Sequence, residues 1–214
     1  MMLEHEYTLL GGVSRLNIGR YLALISAGVS ATVVFILLSS VDLAQRFGIA
    51  ASLPPSVLSF VGAGTVFSAL SWLLNRHAWR WKFINDFLQI PDLSGRWTCR
   101  GLTIETKSNP QFEWEGEITV VQSWDKIRVR LRTKTSASNS RSAALIKDGA
   151  DGWRLFYSYH NEPKIGQTEL HAHRGFSEIL FNAALTVGDG EYFNGHGRYT
   201  FGTMKLERVA SDGN

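Results

Sequence analysis

The chain has 214 residues, a net charge of +3 and a single cysteine. One thiol excludes an internal disulfide framework and a cysteine-built metal cluster, and so mild a positive surplus does not by itself indicate a polymeric nucleic acid. The first third is strongly apolar and the chain from Asp92 onward is polar, so the mean hydropathy of −0.06 averages two regimes. The expected organisation is a membrane anchor with its juxtamembrane segment over residues 1–91, followed by one small domain over residues 92–214.

From Tyr21 to Val41 there are 21 residues without a charge or a histidine. A hydrocarbon core about 30 Å thick needs roughly 20 helical residues, so a first transmembrane helix is predicted over 21–41. Asp42 and Arg46 interrupt the run, and Pro54 and Pro55 stand at a natural helix start, predicting a second span over 55–74. The apolar runs are too long for a cleaved signal peptide and show no polar face suited to a core helix. Arg15 and Arg20 before the hairpin and Arg76, Arg80 and Lys82 after it outnumber Arg46 on the connector. By the positive-inside rule both termini and the C-terminal domain then lie in the cytoplasm. Tyr21, Trp72, Trp79 and Trp81 are expected in the interfacial belts. Small residues at spacing four, Ser26 with Ser30, Ala27 with Ala31 and Gly64 with Ser68, permit close helix packing within the hairpin or between protomers.

From Gly95 the pattern changes to period two, with β-branched and aromatic residues separated by Gly, Asn, Asp and Ser clusters. Strands are predicted near Arg96–Thr106, Phe112–Gln122, Lys126–Lys134, Arg141–Lys147, Trp153–Tyr159, Arg174–Asn182, Val187–Asn194 and Thr203–Arg208. With short connections and no intervening helices, about eight strands predict a small up-and-down antiparallel β-barrel. In the hairpin across Trp124 and Asp125, Ile118 should face Leu131 and Val120 face Val129 inside, while Glu117 meets Arg132 and Glu115 meets Lys134 outside. The row Arg128, Arg130 and Arg132 then reads as a solvated ladder rather than a phosphate cradle. At Gly101 the apolar parity switches from Trp97 and Cys99 to Leu102 and Ile104, which predicts a bulge or bend.

No phosphate-binding loop, dinucleotide fingerprint, nucleophile elbow, HExxH or paired CxxC occurs. No catalytic residue, metal or cofactor is therefore expected. His171 and His173 share a strand face but lack a third ligand, Cys99 lacks an activating neighbour, and the glycines at 188, 190, 195 and 197 read as turn chemistry. What remains is a set on inner faces or strand ends: Tyr157, Tyr159, Asn161, His173, Tyr192 and Arg198. Rings that stack, an arginine for phosphate and an asparagine for base edges suit a planar anionic ligand. Equally, tyrosines fill small barrels with their hydroxyls at the mouth.

Taken together, the two spans and the stretches "IPDLSGRWTCRG", "YSYHNEP", "HAHRGFSEILF" and "GEYFNGHGRYTFGTMKLER" resemble the membrane-anchored β-barrel effectors of bacterial CBASS antiphage systems. Those effectors are encoded beside nucleotidyltransferases that resemble the animal cyclic-GMP-AMP synthase. The resemblance implies a barrel that binds a cyclic di- or oligonucleotide second messenger, not a DNA or RNA polymer. It further implies helices that oligomerise and disrupt the inner membrane without catalysis, in functional partnership with a cognate nucleotidyltransferase. On this chain it brings forward Tyr159, Asn161 and Pro163, His173 and Gly175, and Tyr192, Phe193, Arg198 and Gly202. The competing expectations are a membrane-tethered lipocalin-like carrier or sensor of an apolar molecule and, behind it, a membrane hydrolase.

Overall fold

In the computed structural model the described residues are 4–105, 111–149, 152–166, 171–195 and 198–210. The chain forms two compact units, one of Val13–Leu88 and one of Met1–Gly12 together with Gln89–Asn214.

The helical unit contains α1 (Arg15–Arg46), α2 (Pro55–Phe60), α3 (Ala63–Arg76), a 3-10 turn at Ala78–Arg80 and α4 (Lys82–Leu88). At 1.5 Å per residue α1 is about 48 Å long, more than a bilayer core requires, and it alone among the described helices is long and apolar enough to cross. The expected second span is not one helix. It breaks at Val61 and Gly62, where Gly62 takes an extended conformation (φ −61°, ψ 148°) and caps α3. The 14 residues of α3 rise only about 21 Å. The Val61 carbonyl left over by the break receives the hydroxyl of Ser30 from α1, the kind of repair that a medium without water demands.

Ser26 and Ser30 are buried against the rest of the helical unit, whereas Ala27, Ala31, Gly64 and Ser68 are exposed. Of the expected belt, Tyr21, Trp72 and Trp81 are exposed but Trp79 is fully buried, with the Arg80 guanidinium 4.8 Å from its ring centre. The belt placement of Trp79 is therefore corrected: in the 3-10 turn between α3 and α4 its ring is buried rather than turned outward.

Among the described residues the other unit is a closed barrel of nine strands: β1 (His5–Leu10), β2 (Gly95–Glu105), β3 (Gln111–Gln122), β4 (Lys126–Thr133), β5 (Ser136–Asp148), β6 (Gly152–Pro163), β7 (His173–Phe181), β8 (Val187–Gly195) and β9 (Thr200–Arg208). The predicted extension of the first barrel strand to Thr106 falls outside the described residues, as does Gly197. From β2 to β9 the strands run antiparallel, β9 returning to β2.

The count of eight is corrected by β1, which lies within the stretch assigned to the anchor. It wedges between β4, antiparallel to it, and β5, parallel to it. At one end β4 and β5 pair directly through Arg130 with Asn139 and Leu131 with Ser138. Beyond Asn139, where the β5–β6 register shifts between Ser140 and Ser142, β1 takes the place between β4 and β5. There the Ser140 hydroxyl accepts the Val129 N–H (2.9 Å) and meets His5 Nε2 (2.6 Å), while Tyr7 is buried and donates to the Trp124 carbonyl (3.1 Å). The first half of β5, Ser136–Ser140, reads as turn composition and was not predicted as strand.

The hairpin register is as expected, Ile118 opposite Leu131 and Val120 opposite Val129, with Arg128, Arg130 and Arg132 on the outer face. Glu117 does stand opposite Arg132, yet the ion pairs form toward β2 instead: Arg96 lies 4.0 Å from Glu117 and Arg100 lies 3.7 Å from Glu115. These exposed pairs contribute little to stability.

No bulge exists at Gly101. The pairing of β2 with β3 and with β9 runs through it without a shift. Parity is kept, so Gly101 and Thr103 face inward and Leu102 and Ile104 face outward. The switch in the sequence marks apolar residues on the outside of the barrel.

Candidate ligand-binding site

The barrel interior is divided along its length. At the end where β1 finishes and β2 begins, Trp97, Ile118, Ile127, Val129, Leu145, Leu155, Ile179, Phe181 and Leu206 are essentially inaccessible and fill the lumen. Trp97 packs against Phe181 with ring centres 4.9 Å apart and donates its indole N–H to the Leu93 carbonyl (3.1 Å). Gln122 holds the entering strap, accepting from Leu93 N–H (2.9 Å) and donating to the Pro91 carbonyl (3.0 Å).

At the other end lies a cavity of about 740 Å³, within the roughly 300–1,000 Å³ common for ligand pockets. Three glycines open it, each opposite an aromatic residue: Gly101 opposite Trp114, Gly175 opposite Tyr159 and Gly202 opposite Tyr192. A methyl group on Gly101 would stand 2.1 Å from the Trp114 ring, one on Gly175 2.3 Å from the Tyr159 hydroxyl, and one on Gly202 2.8 Å from the Tyr192 hydroxyl. The rings lie over bare backbone against the wall. The lumen between them stays free.

Their polar groups fix them there. Tyr192 OH receives the Trp114 indole N–H (3.1 Å) and bonds the buried hydroxyl of Thr103. Tyr159 OH donates to Asn194 Oδ1 (2.8 Å), whose Nδ2 donates to Thr200 Oγ1 (2.8 Å). Tyr157 bonds Ser177, and Ser177 donates to the Glu191 carbonyl (3.1 Å). Burial raises both Tyr157 and Tyr159 above the ordinary phenol range, so both are neutral donors.

All six residues singled out from the sequence line this one cavity: Tyr157, Tyr159 and Asn161 from β6, His173 from β7, Tyr192 from β8, and Arg198 from the segment before β9. His173 is buried, with Nδ1 3.0 Å from the His171 carbonyl. Burial lowers its pKa first of all, assisted by Arg198 and His160, so the imidazole is neutral at pH 7. Arg198 and Lys134 supply positive charge in the lining, and Glu113 and Glu115 supply negative charge. The arrangement offers neutral hydrogen-bonding groups and ring faces together with charged side chains of both signs in the lining.

Sequence reasoning missed Thr103, Trp114, Asn194 and Thr200. A signal existed for Trp114, since an inward tryptophan needs a small partner across the sheet and Gly101 supplies it. None existed for Asn194 or Thr200, whose roles depend on the β8–β9 register.

Cys99 is buried, and desolvation pushes its thiol up to about 12, so it is not a thiolate nucleophile. His171 is exposed while His173 points inward, and among the described residues no three metal-ligating side chains converge.

Residues 88–208 match a family model described as "Cap15, cyclic dinucleotide receptor domain", and residues 16–80 match one described as "Cap15, TM helices". The CD-NTase-associated protein 15 of Yersinia aleksiciae is 38% identical over 208 residues, which cover 97% of this chain and 99% of that protein. The receptor model thus spans the cavity-bearing part of the barrel, the helix model spans α1 to α3, and this chain belongs to the Cap15 family.

Proposed function

We propose that this chain is a CBASS antiphage effector: its barrel binds a cyclic dinucleotide second messenger in the cavity, and its helices then assemble and disrupt the bacterial inner membrane. The observation that carries the reading is the cavity of about 740 Å³, lined by rings, hydroxyls, an imidazole and charged side chains, inside the segment that matches the receptor domain. In it Tyr157, Tyr159 and Tyr192 offer stacking surfaces, Asn161 and neutral His173 read base edges, and Arg198 meets phosphate. The messenger is made by a cognate nucleotidyltransferase, and no enzymatic step on this chain is required. An apolar carrier is disfavoured because the end of the lumen built from apolar side chains alone is filled by Trp97, Phe181 and their neighbours, and the open end carries Asn161, His173, Arg198 and three tyrosines.

Two membrane crossings with both termini cytoplasmic follow in this reading from connectivity. The chain leaves the barrel after β1 and re-enters it before β2. The helical segment must return to the side it left, so if α1 crosses, the broken α2–α3 segment crosses back. The arginines flanking both ends support a cytoplasmic location for that side. A periplasm-dependent phosphatase fused after Asn214 should be silent, and strong activity would overturn this topology.

The messenger acts by favouring the assembled state, which requires a differential affinity of a few kcal/mol. Gly64 is exposed, and a side chain added there meets nothing within 4 Å in its own chain. Gly64→Leu should therefore leave the helical unit and ligand binding intact while obstructing contact between copies. Full-length protein in detergent, titrated with cyclic dinucleotides and with fatty acids, should gain melting temperature only with the former. Cells co-expressing the nucleotidyltransferase should admit an impermeant dye. Impermeable cells, or stabilisation by fatty acids alone, would sink the reading.

A further inference from the structure

We propose that the outer wall of β7 and β8, centred on Phe176 and Phe193, is a two-fold interface between two copies of this chain. The inference rests on the assembly reading above and assigns it a surface on the barrel.

An outward face of a small barrel should be polar at alternate positions, yet four consecutive strands carry an apolar row here. Ile104 pairs with Phe201, Phe201 with Phe193, and Phe193 with Phe176. The Phe176 and Phe193 rings stack at 5.7 Å, and Phe156 extends the row at 6.3 Å from Phe176. Phe193 and Phe201 remain 56% and 46% exposed, so the row is not covered within the chain. A contiguous aromatic strip of this kind marks a contact surface.

The flanking charges say what covers it. One step toward the cavity end, Arg174 stands beside His160 and Gly195, neither of which is a carboxylate. One step the other way, Glu178 and Glu191 face each other across the ladder, a like-charge pair that is unfavourable on its own. Arg154 bonds Glu178 and Asp148, but Glu191, exposed and paired onward only with Thr203, has no ion pair among the described residues.

A lipid surface or a highly charged ligand would call for one sign of charge. Here a cation and an excess of anions lie on opposite sides of one apolar row, at equal spacing. A two-fold axis through Phe176 and Phe193 lays the Arg174 of each copy over the Glu178–Glu191 step of the other while the phenylalanines pack in the centre. Such self-complementarity is the signature of an isologous contact.

The test uses the full chain in native membranes, with and without a panel of cyclic dinucleotides. Phe193→Cys, near the axis, should give a disulfide-linked dimer under mild oxidation at ten times or more the yield of Val121→Cys, which is exposed on β3. Arg174→Glu in the Phe193→Cys background should reduce the yield at least fivefold. Adding Glu191→Arg should restore it, a rescue that misfolding would not produce. Neither residue lines the cavity, so nucleotide binding should persist in all three variants. Equal cross-linking at Val121→Cys, no dimer from Phe193→Cys in any condition, absence of rescue, or cross-linking to a different protein would each overturn the interface. Dye entry in the same cells separates the two readings: permeable cells without the cross-link sink the interface alone.

Discussion

The two ends of the barrel are built from the same strands and the same alternation, yet one is solid and the other hollow. At the solid end large side chains from most inward positions meet across the lumen, as Trp97 meets Phe181, and they fill even the space left by the inward Gly188 and Gly190 of β8. At the hollow end inward aromatics alternate with Gly101, Gly175 and Gly202 on the neighbouring strand, so each ring folds over backbone instead of projecting to the axis. On the proposed reading, stability and binding fall to separate halves of one fold. A packed interior tolerates no void, whereas a hydrogen-bonded and partly polar one can remain open to a ligand.

The sharpest break of this division is at the solid end. Trp97→Ala should cost about 3–5 kcal/mol in chemical denaturation of the full chain, because the residue is fully buried and its cavity has little room to collapse. A loss below about 1 kcal/mol would mean the solid end is not the stability core. Next, Gly175→Ala should force the Tyr159 ring off the wall and weaken its bond to Asn194. We expect a stability loss of about 1–3 kcal/mol, with a larger proportional loss of cyclic dinucleotide affinity. Unchanged affinity in a titration would show that the wall position of the ring is irrelevant.

Arg198→Ala should reverse the pattern of Trp97→Ala. Half-buried at the cavity, it should lower affinity about tenfold, roughly 1.4 kcal/mol, while the melting temperature of the free protein moves little. Equal losses in both would place Arg198 in the scaffold.

The smallest expected effect is that of pH. Burial holds the folded pKa of His173 below its ordinary value, so the unfolded chain takes up the proton more readily. Its contribution to stability is thus present above about pH 6.5 and declines as the pH falls below that, with a slope of at most about 1.4 kcal/mol per unit. His173→Gln should flatten the stability profile between about pH 7 and 5, and an unchanged slope would assign the effect elsewhere.

Local pattern carried much of this molecule. The 21-residue uncharged run, the period-two alternation after Gly95 and the Ile118–Leu131 register all follow from nearest-neighbour chemistry, and all recur in the structure. So does the membership of the cavity lining, because inward parity and position near a strand end suffice to bring Tyr157, Tyr159, Asn161, His173 and Tyr192 to one mouth of a closed sheet. Three features needed the tertiary structure. The strand β1 is a six-residue segment with no strand partner near it in sequence, and its pairing partners, β4 and β5, lie more than 100 residues away along the chain. The second apolar run breaks at Val61 and Gly62, where Ser30, 31 residues before Val61, takes up the freed Val61 carbonyl. The parity switch at Gly101 becomes an outward apolar row rather than a bulge because pairing with two neighbouring strands fixes every inward position. In each case the deciding partner is far away along the chain, and sequence periodicity senses only what is near.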